Sequence, residues 1–402
     1  MEQEKDCKDA VIIANFCGNL DGSDNNRFVY LAKMLEDNCN VELITSDFNH
    51  LTKKHRNNTA MDTIGQITLL HEIGYSKNIS LRRFLSHWIW GRNVKKYLSL
   101  RKKPDLVYCA VPSLTSSLAA AKYCEKNKIK FLIDIQDLWP DAFKMVFHVP
   151  IISNLLYFPF RQAASGIYSR ANEIIAVSQT YVDMALKSNK MCKRGYSVFL
   201  GTELQTFDRN AQRNMVCEKP SEELWLGYCG TLGSSYDLTT VFDALKLVSE
   251  KGICPPKFII MGDGPRKSEF ANYAKCNGIY CKFMGLLPYE KMCGIIKSCD
   301  MVINPITHGA AQSIINKHAD YAASGLPVLN TQENVEYRKL IEQYQMGFNC
   351  KNNDSADLAE KMILLISDKA LREHMGNNAR RCAEERFDRR HSYQKIKEII
   401  WE

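Results

Sequence analysis

Short apolar runs rich in β-branched residues alternate along the chain with stretches whose apolar positions recur every three or four residues. This alternation predicts parallel strands joined by crossover helices. In the first half, strands are predicted at 11–16, 41–46, 66–70, 106–110, 130–135, 173–177 and 197–200. In the second half they fall at 225–229, 257–261, 280–284, 301–304, 327–330 and 347–350. The expected fold class is α/β, with two doubly wound Rossmann-like domains facing across a cleft. Ligands of such sheets bind at the carboxyl ends of the strands.

The stretch 201–221 is polar, rich in Asn, Gln and Arg, and closes on Pro220 just before a strand, so it reads as the linker. The expected division is 1–205, 206–380 and a charged C-terminal helix, 381–402, able to pack back across the boundary. With 402 residues, 45% hydrophobic and 24% charged, the chain is long enough for two globular cores. No apolar run is long enough to predict a membrane-spanning helix.

Residues 1–10 carry both signs of charge and run straight into Val11-Ile12-Ile13-Ala14, without the pattern of a secretory leader. Fifteen cysteines, an odd number without a C-x-x-C pair, fit reduced thiols, so a cytoplasmic location is expected. Lys plus Arg exceed Asp plus Glu by 53 to 45, a net charge of +8 that favours phosphates, anionic substrates or an acidic membrane surface. No nucleic-acid partner is expected.

The fingerprints of P-loop enzymes, zinc proteases, serine hydrolases and ordinary dehydrogenases are missing. There is no D-x-D pair and no His/Cys set at zinc spacing, so neither a metal site nor a resident cofactor is expected.

The most informative segment is 312–327. Ser313 is a candidate N-cap, and Gly325 followed by Pro327 stops the helix. Lys317, Asp320, Tyr321 and Ser324 then share a face. A lysine so close to a helix start opposes the macrodipole, and an anion at the exposed amides, including that of Asn316, explains it. Asp320, one turn deeper, suits a ribose diol. An ordinary Lys317–Asp320 surface pair is the other reading.

Two glycine-bearing turns lie in the same half. Gly230-Thr231-Leu232-Gly233 follows one predicted strand and can bring amides close to a phosphate. Gly262-Asp263-Gly264-Pro265-Arg266-Lys267 follows the next and places positive charge at a helix start. In the first half, Asp137 sits just past a strand, placed either for a sugar hydroxyl or for an Asx turn. The loop Gly18-Asn19-Leu20-Asp21-Gly22, opening toward Arg27, has the size to face the same cleft. Residues 81–103 mix Trp88, Trp90 and Leu98 with eight basic residues, which fits an interfacial helix or a buried helix with a solvated flank.

With these segments quoted, the chain resembles family 4 glycosyltransferases of the GT-B fold, in the branch found in bacterial capsule, O-antigen and exopolysaccharide clusters. The resemblance rests on Thr45-Ser46-Asp47-Phe48-Asn49-His50, on Tyr75-Ser76-Lys77-Asn78 with Ser86-His87, and on Asp137-Leu138-Trp139-Pro140-Asp141. It continues through Tyr228 to Gly233, Gly262-Asp263-Gly264-Pro265, Phe283-Met284-Gly285-Leu286, and Lys317 to Val328.

The resemblance implies a C-terminal domain that binds a nucleoside-diphosphate sugar and an N-terminal domain that binds a saccharide acceptor, with retention at the anomeric carbon and no obligatory metal. It places Gly230, Thr231, Leu232, Gly262, Gly264, Leu286, Asn316, Lys317 and Asp320 at the donor. Gly18, Asn19, Gly22, His50, Asn78 and His87 fall at the acceptor, and Asp137, Lys317 and Asp320 at the chemistry. The family's paired acids fall on Gln312 and Asp320. The implied acceptor is carried on polyprenyl diphosphate at the inner face of the membrane. Two rival functions stay open: a nucleotide-sugar 2-epimerase of related fold, and a non-catalytic partner subunit.

Overall fold

The computed structural model describes residues 8–21, 25–56, 65–78, 80–139, 150–192, 194–310 and 313–401. The chain forms two compact units, one made of residues 1–198 with 393–402, the other of residues 199–392.

The first unit is built on strands β1 (Asp9–Ala14), β2 (Asn40–Ser46), β5 (Gln66–Leu70), β6 (Leu106–Val111), β7 (Lys130–Ile135), β8 (Glu173–Ala176) and β9 (Tyr196–Ser197). They pair in parallel in the order β5-β2-β1-β6-β7-β8-β9. A small antiparallel ribbon, β3 (Phe48–Asn49) with β4 (Lys54–His55), follows β2 and is invisible as periodicity because each strand has two residues.

The second unit carries β10 (Trp225–Cys229), β11 (Lys257–Met261), β12 (Cys281–Gly285), β13 (Met301–Asn304), β14 (Val328–Asn330) and β15 (Gly347–Asn349). These pair in parallel as β12-β11-β10-β13-β14-β15. In both sheets the order reverses beside the first strand, at β1/β6 and at β10/β13. Such switch points open a crevice beyond the strand ends.

Buried Val, Ile, Leu and Phe side chains on both faces of the second sheet make two apolar clusters, as expected of strands covered on each side by helices. In the first unit the cluster around Ile12, Leu31, Leu43 and Leu132 is completed by Tyr393, Ile396, Ile399 and Ile400. Lys130 caps this last helix by donating to the carbonyls of Ile399 and Ile400, both at 3.0 Å.

Two sequence-based expectations change. The stretch 201–221 holds the helix Leu204–Asn214, whose Leu204, Phe207 and Ala211 are buried in the second unit's core. The units therefore divide after Val198 and not after residue 205. The return to the first unit comes at Tyr393 rather than at 381, because the helix Lys369–Cys382 packs Met375 and Ala379 into the second unit. Among the described residues no helix is long and apolar enough to cross a membrane, and every cysteine is a free thiol.

Candidate functional site

The second unit's site begins with glycine. Gly230, at the end of β10, has φ +149, and a Cβ there would stand 2.9 Å from Lys317 Nζ. Gly262, at the end of β11, has φ +152, and its Cβ would fall 1.8 Å from the Gly230 carbonyl oxygen. A Cβ on Gly264 would meet Leu232 backbone atoms at 2.4–2.7 Å. The two turns are laced together by Leu232 N donating to Asp263 O and Arg266 N donating to Leu232 O, at 2.9 and 3.0 Å. Glycine is therefore required where backbone meets backbone, and the pair of turns forms one rigid ledge.

Lys317 reaches that ledge from the helix Asn316–Ser324, which follows β13. It is 7% exposed, and its ammonium has no hydrogen-bond partner among the described residues. The ring centroids of Tyr228 and Tyr236 lie 4.5 and 4.0 Å from Nζ. Cation–π contacts make up part of the lost hydration, yet burial still draws this lysine down to about 7. A buried cation without a carboxylate is unfavourable. It sits where the β10/β13 switch point leads a ligand to be expected.

The helix starts without a side-chain cap. Ile315 occupies the N-cap, and Ser313, the expected cap, is buried with no partner for Oγ among the described residues. Instead Ile315 N donates to His318 Nδ1 at 3.2 Å, and that imidazole stacks on Tyr337 at 3.6 Å. The first turn's amides keep the partial positive charge that attracts anions. Asn316 stands exposed at this end.

Asp320 is buried and accepts from Tyr289 Oη at 2.8 Å, while that hydroxyl lies 2.9 Å from Thr202 Oγ1. Lys317 and Asp320 are both buried, so they do not make a solvated surface pair. Tyr321 Oη accepts from Cys229 N at 3.0 Å, tying this helix to the end of β10.

Other donor-side expectations fare differently. Thr231 is exposed beside the ledge, whereas the Leu232 side chain is core and contributes only backbone. Leu286 is 77% exposed in the turn after β12. Arg266 and Lys267 are spent on local pairs with Glu269 and Asp263, so they do not concentrate positive charge at the helix start.

In the first unit, aromatic rings gather beyond β1 and β7. Phe16 lies 4.9 Å from the His50 ring, 5.5 Å from His87 and 6.3 Å from Trp139. Tyr75 contacts His50 and His87, and His87 stacks on Trp139. Three acceptor-side expectations thus come together: His50, His87 and Asn78, whose Oδ1 accepts from Lys53 at 2.5 Å. His50 Nδ1 faces both Lys53 Nζ (3.3 Å) and Tyr75 Oη (2.5 Å). An ammonium can only donate, so this nitrogen accepts and the imidazole is neutral. Burial, with Lys53 and Arg83 close by, draws His50 down to about 3; burial and Arg83 do the same to His87.

Asp137 Oδ1 accepts from Leu138 N at 2.9 Å, and Oδ2 from Trp139 Nε1 at 3.2 Å. Its burial pushes the carboxyl up. Gly18 and Asn19 turn their carbonyls to Arg56 and Asn26, at 2.8 and 3.3 Å, and do not join the aromatic group through these contacts. Arg27 does not face an open loop. It is buried and forks onto Asp134, at 2.6 and 3.2 Å. Gly22, Gln312, Pro140 and Asp141 lie outside the described residues.

Sequence reasoning missed Tyr236, Tyr289 and Thr202 in the second unit, and the joint role of Phe16, Lys53, Tyr75 and Arg83 in the first. Asp47, His55 and His71 also meet, with ligand atoms within 4.8 Å. Both imidazoles hold the one carboxylate, at 3.4 and 2.8 Å, which accounts for the grouping.

Residues 214–382 match the family of glycosyl transferases group 1. An uncharacterized glycosyltransferase of Methanocaldococcus jannaschii is 24% identical over 62% of this chain, and the match spans 63% of that relative's length. Among solved structures, Anabaena HepE in complex with UDP and glucose aligns over 98% of this chain and 99% of its own, with a TM-score of 0.70 at 16% identity. Sucrose-phosphate synthase of Thermosynechococcus elongatus aligns over 98% of each chain, with a TM-score of 0.74 at 14% identity. The glycosyl transferase match thus falls on the second unit, and the fold of the chain is the GT-B architecture of these solved structures.

Proposed function

We propose that this glycosyltransferase moves a hexose or N-acetylhexosamine from a UDP-sugar to a saccharide acceptor, with retention at the anomeric carbon and without a metal or resident cofactor. The observation that carries the donor assignment is the buried, unpartnered Lys317 ammonium at the glycine ledge of Gly230 and Gly262. A diphosphate supplies the charge this lysine lacks. As the sugar–phosphate bond breaks, Lys317 and the uncapped first turn stabilise the negative charge developing on the leaving UDP. That a similarly folded neighbour holds UDP and glucose supports the choice of nucleotide. Asp320, oriented by Tyr289, is assigned to the ribose hydroxyls, and Leu286 to the neighbourhood of the base.

In this reading the acceptor belongs to the first unit, around His50, Asn78 and His87, with Asp137 near the transferred sugar. The acceptor attacks on the face the diphosphate leaves, so no side-chain nucleophile is called for. The branch resemblance supports a saccharide on polyprenyl diphosphate, in surface polysaccharide synthesis at the cytoplasmic membrane face. The helix Leu81–Leu100 fits that setting. It buries Trp90, Val94 and Leu98 while exposing Leu81, Leu85 and Trp88 beside Arg82, Arg92 and Lys95.

The test is incubation of the purified protein with UDP-sugars and a lipid-linked saccharide, with the product's anomeric configuration read by NMR. An extended saccharide with the donor's configuration is expected. Donor isomerised or hydrolysed without acceptor, or no turnover at all, overturns the assignment.

A further inference from the structure

Two cations in the first unit face one aromatic ring without an acidic partner. Lys53 Nζ lies 4.7 Å from the Tyr75 centroid, and the Arg83 guanidinium carbon lies 5.4 Å from it. Arg83 also covers Trp139 at 4.9 Å and Phe16 at 5.7 Å. Asn78 joins the pair, accepting from Lys53 through Oδ1 and from Arg83 Nη1 through its backbone oxygen, at 2.5 and 2.8 Å.

Neither cation forms an ion pair among the described residues, and the buried Arg83 Nε has no hydrogen-bond partner. The nearby carboxylates are already occupied by neutral donors. Glu72 accepts from Asn15, Ser46 and Ser86, and Asp137 from Leu138 and Trp139. The imidazoles in the cluster are neutral and supply no counter-charge. Burial and the neighbouring guanidinium lower Lys53 to about 8. Lys53 is also held at φ +59, an uncommon conformation for a residue with a side chain. Two cations kept together over aromatic faces, with no carboxylate hydrogen-bonded to either among the described residues, leave donors free for an anion.

We propose that this aromatic basin is a subsite for an acidic group on the acceptor, a phosphoryl or a carboxylate, held between the Lys53 ammonium and the Arg83 guanidinium. The inference rests on the reading that the first unit binds the acceptor, and it adds the acceptor's chemical class. Neutral saccharides lack the group these cations require.

The test is calorimetric titration of the full chain, with UDP saturating so that the Lys317 site is filled. The probes are glucose 1-phosphate, glucuronic acid and glucose. At least one acidic probe is expected to bind tenfold or more tighter than glucose, and which one does so tells phosphoryl from carboxylate. Lys53→Gln and Arg83→Gln are each expected to weaken that probe at least tenfold while leaving UDP affinity and the melting midpoint unchanged. Equal binding of glucose and both acids, or acid binding untouched in well-folded variants, overturns the proposal. If a variant fails to fold, the wild-type comparison of acidic and neutral probes still decides. If UDP itself does not bind, the donor assignment falls instead, and the probes are titrated into Lys317→Met to judge the basin alone.

Discussion

Lys317 Nζ stands 4.0 Å from the ring centroid of Tyr236, buried, with no hydrogen-bond partner among the described residues. On the proposed reading, the free protein holds a cation whose partner, an anion, arrives with the donor. Lys317→Met is expected to weaken UDP by roughly 10- to 100-fold, from the loss of charge-assisted bonds worth about 1.5–3 kcal/mol. The same variant is expected to melt no lower than the parent, since it removes an unpaired buried charge. Titration calorimetry and a thermal scan read the two effects.

The pH dependence follows from the same residue. Free Lys317 titrates near 7, and a bound diphosphate raises it. Above pH 7, binding must therefore take up a proton, so UDP affinity falls as pH rises from about 7 to 9, and Lys317→Met flattens the profile. In the ligand-free protein the unfolded chain holds this proton up to the ordinary lysine value. Stability therefore rises with pH above 7 through this group.

His50 and His87 act at the other end of the scale. Both are drawn to about 3 in the fold, against 6.5 for an unperturbed histidine. Between these values the unfolded chain binds protons that the native one refuses, so stability falls as pH drops from 6.5 toward 3. His87→Gln should make the melting midpoint less steep over that window.

Gly264→Ala should abolish UDP binding while the sheet survives, because the new methyl group would press on Leu232 backbone atoms 2.4–2.7 Å away. Gly278→Ala is the control. Its φ is +64 with open space around it, so it should cost about 1 kcal/mol and leave UDP binding intact. Urea melts and UDP titrations separate the two.

Arg27→Met is expected to destabilise the protein by about 3–5 kcal/mol, because it strands the fully buried Asp134 carboxylate. Tyr108 would remain as one donor to Asp134, at 2.8 Å. A denaturant titration with the Arg27→Met/Asp134→Leu pair should recover part of the loss.

The central strands were legible because they are short runs buried on both faces, and apolar runs survive in the sequence whatever surrounds them. Lys317 was legible for a different reason: a lysine in a first helical turn conflicts with the macrodipole, and that conflict is local. The Lys53–Arg83 pair was not legible. Thirty residues separate the two, and each alone looks like an ordinary solvated charge. Arg27 and Asp134 are further apart still, and only the parallel register of β1, β6 and β7 brings them together. Ser313 misled because a good capping residue type was present while the helix began three positions later, behind Ile315.

The tail contributes Tyr393, Ile396, Ile399 and Ile400 to the first unit's core, and Tyr393 Oη takes a hydrogen bond from Arg27 at 2.9 Å. During synthesis, residues 8–198 emerge long before those side chains do, so the amino-terminal half leaves the ribosome with an apolar face uncovered. The intervening unit must be translated before that face is closed, and chaperone demand and proteolytic sensitivity should peak in that interval.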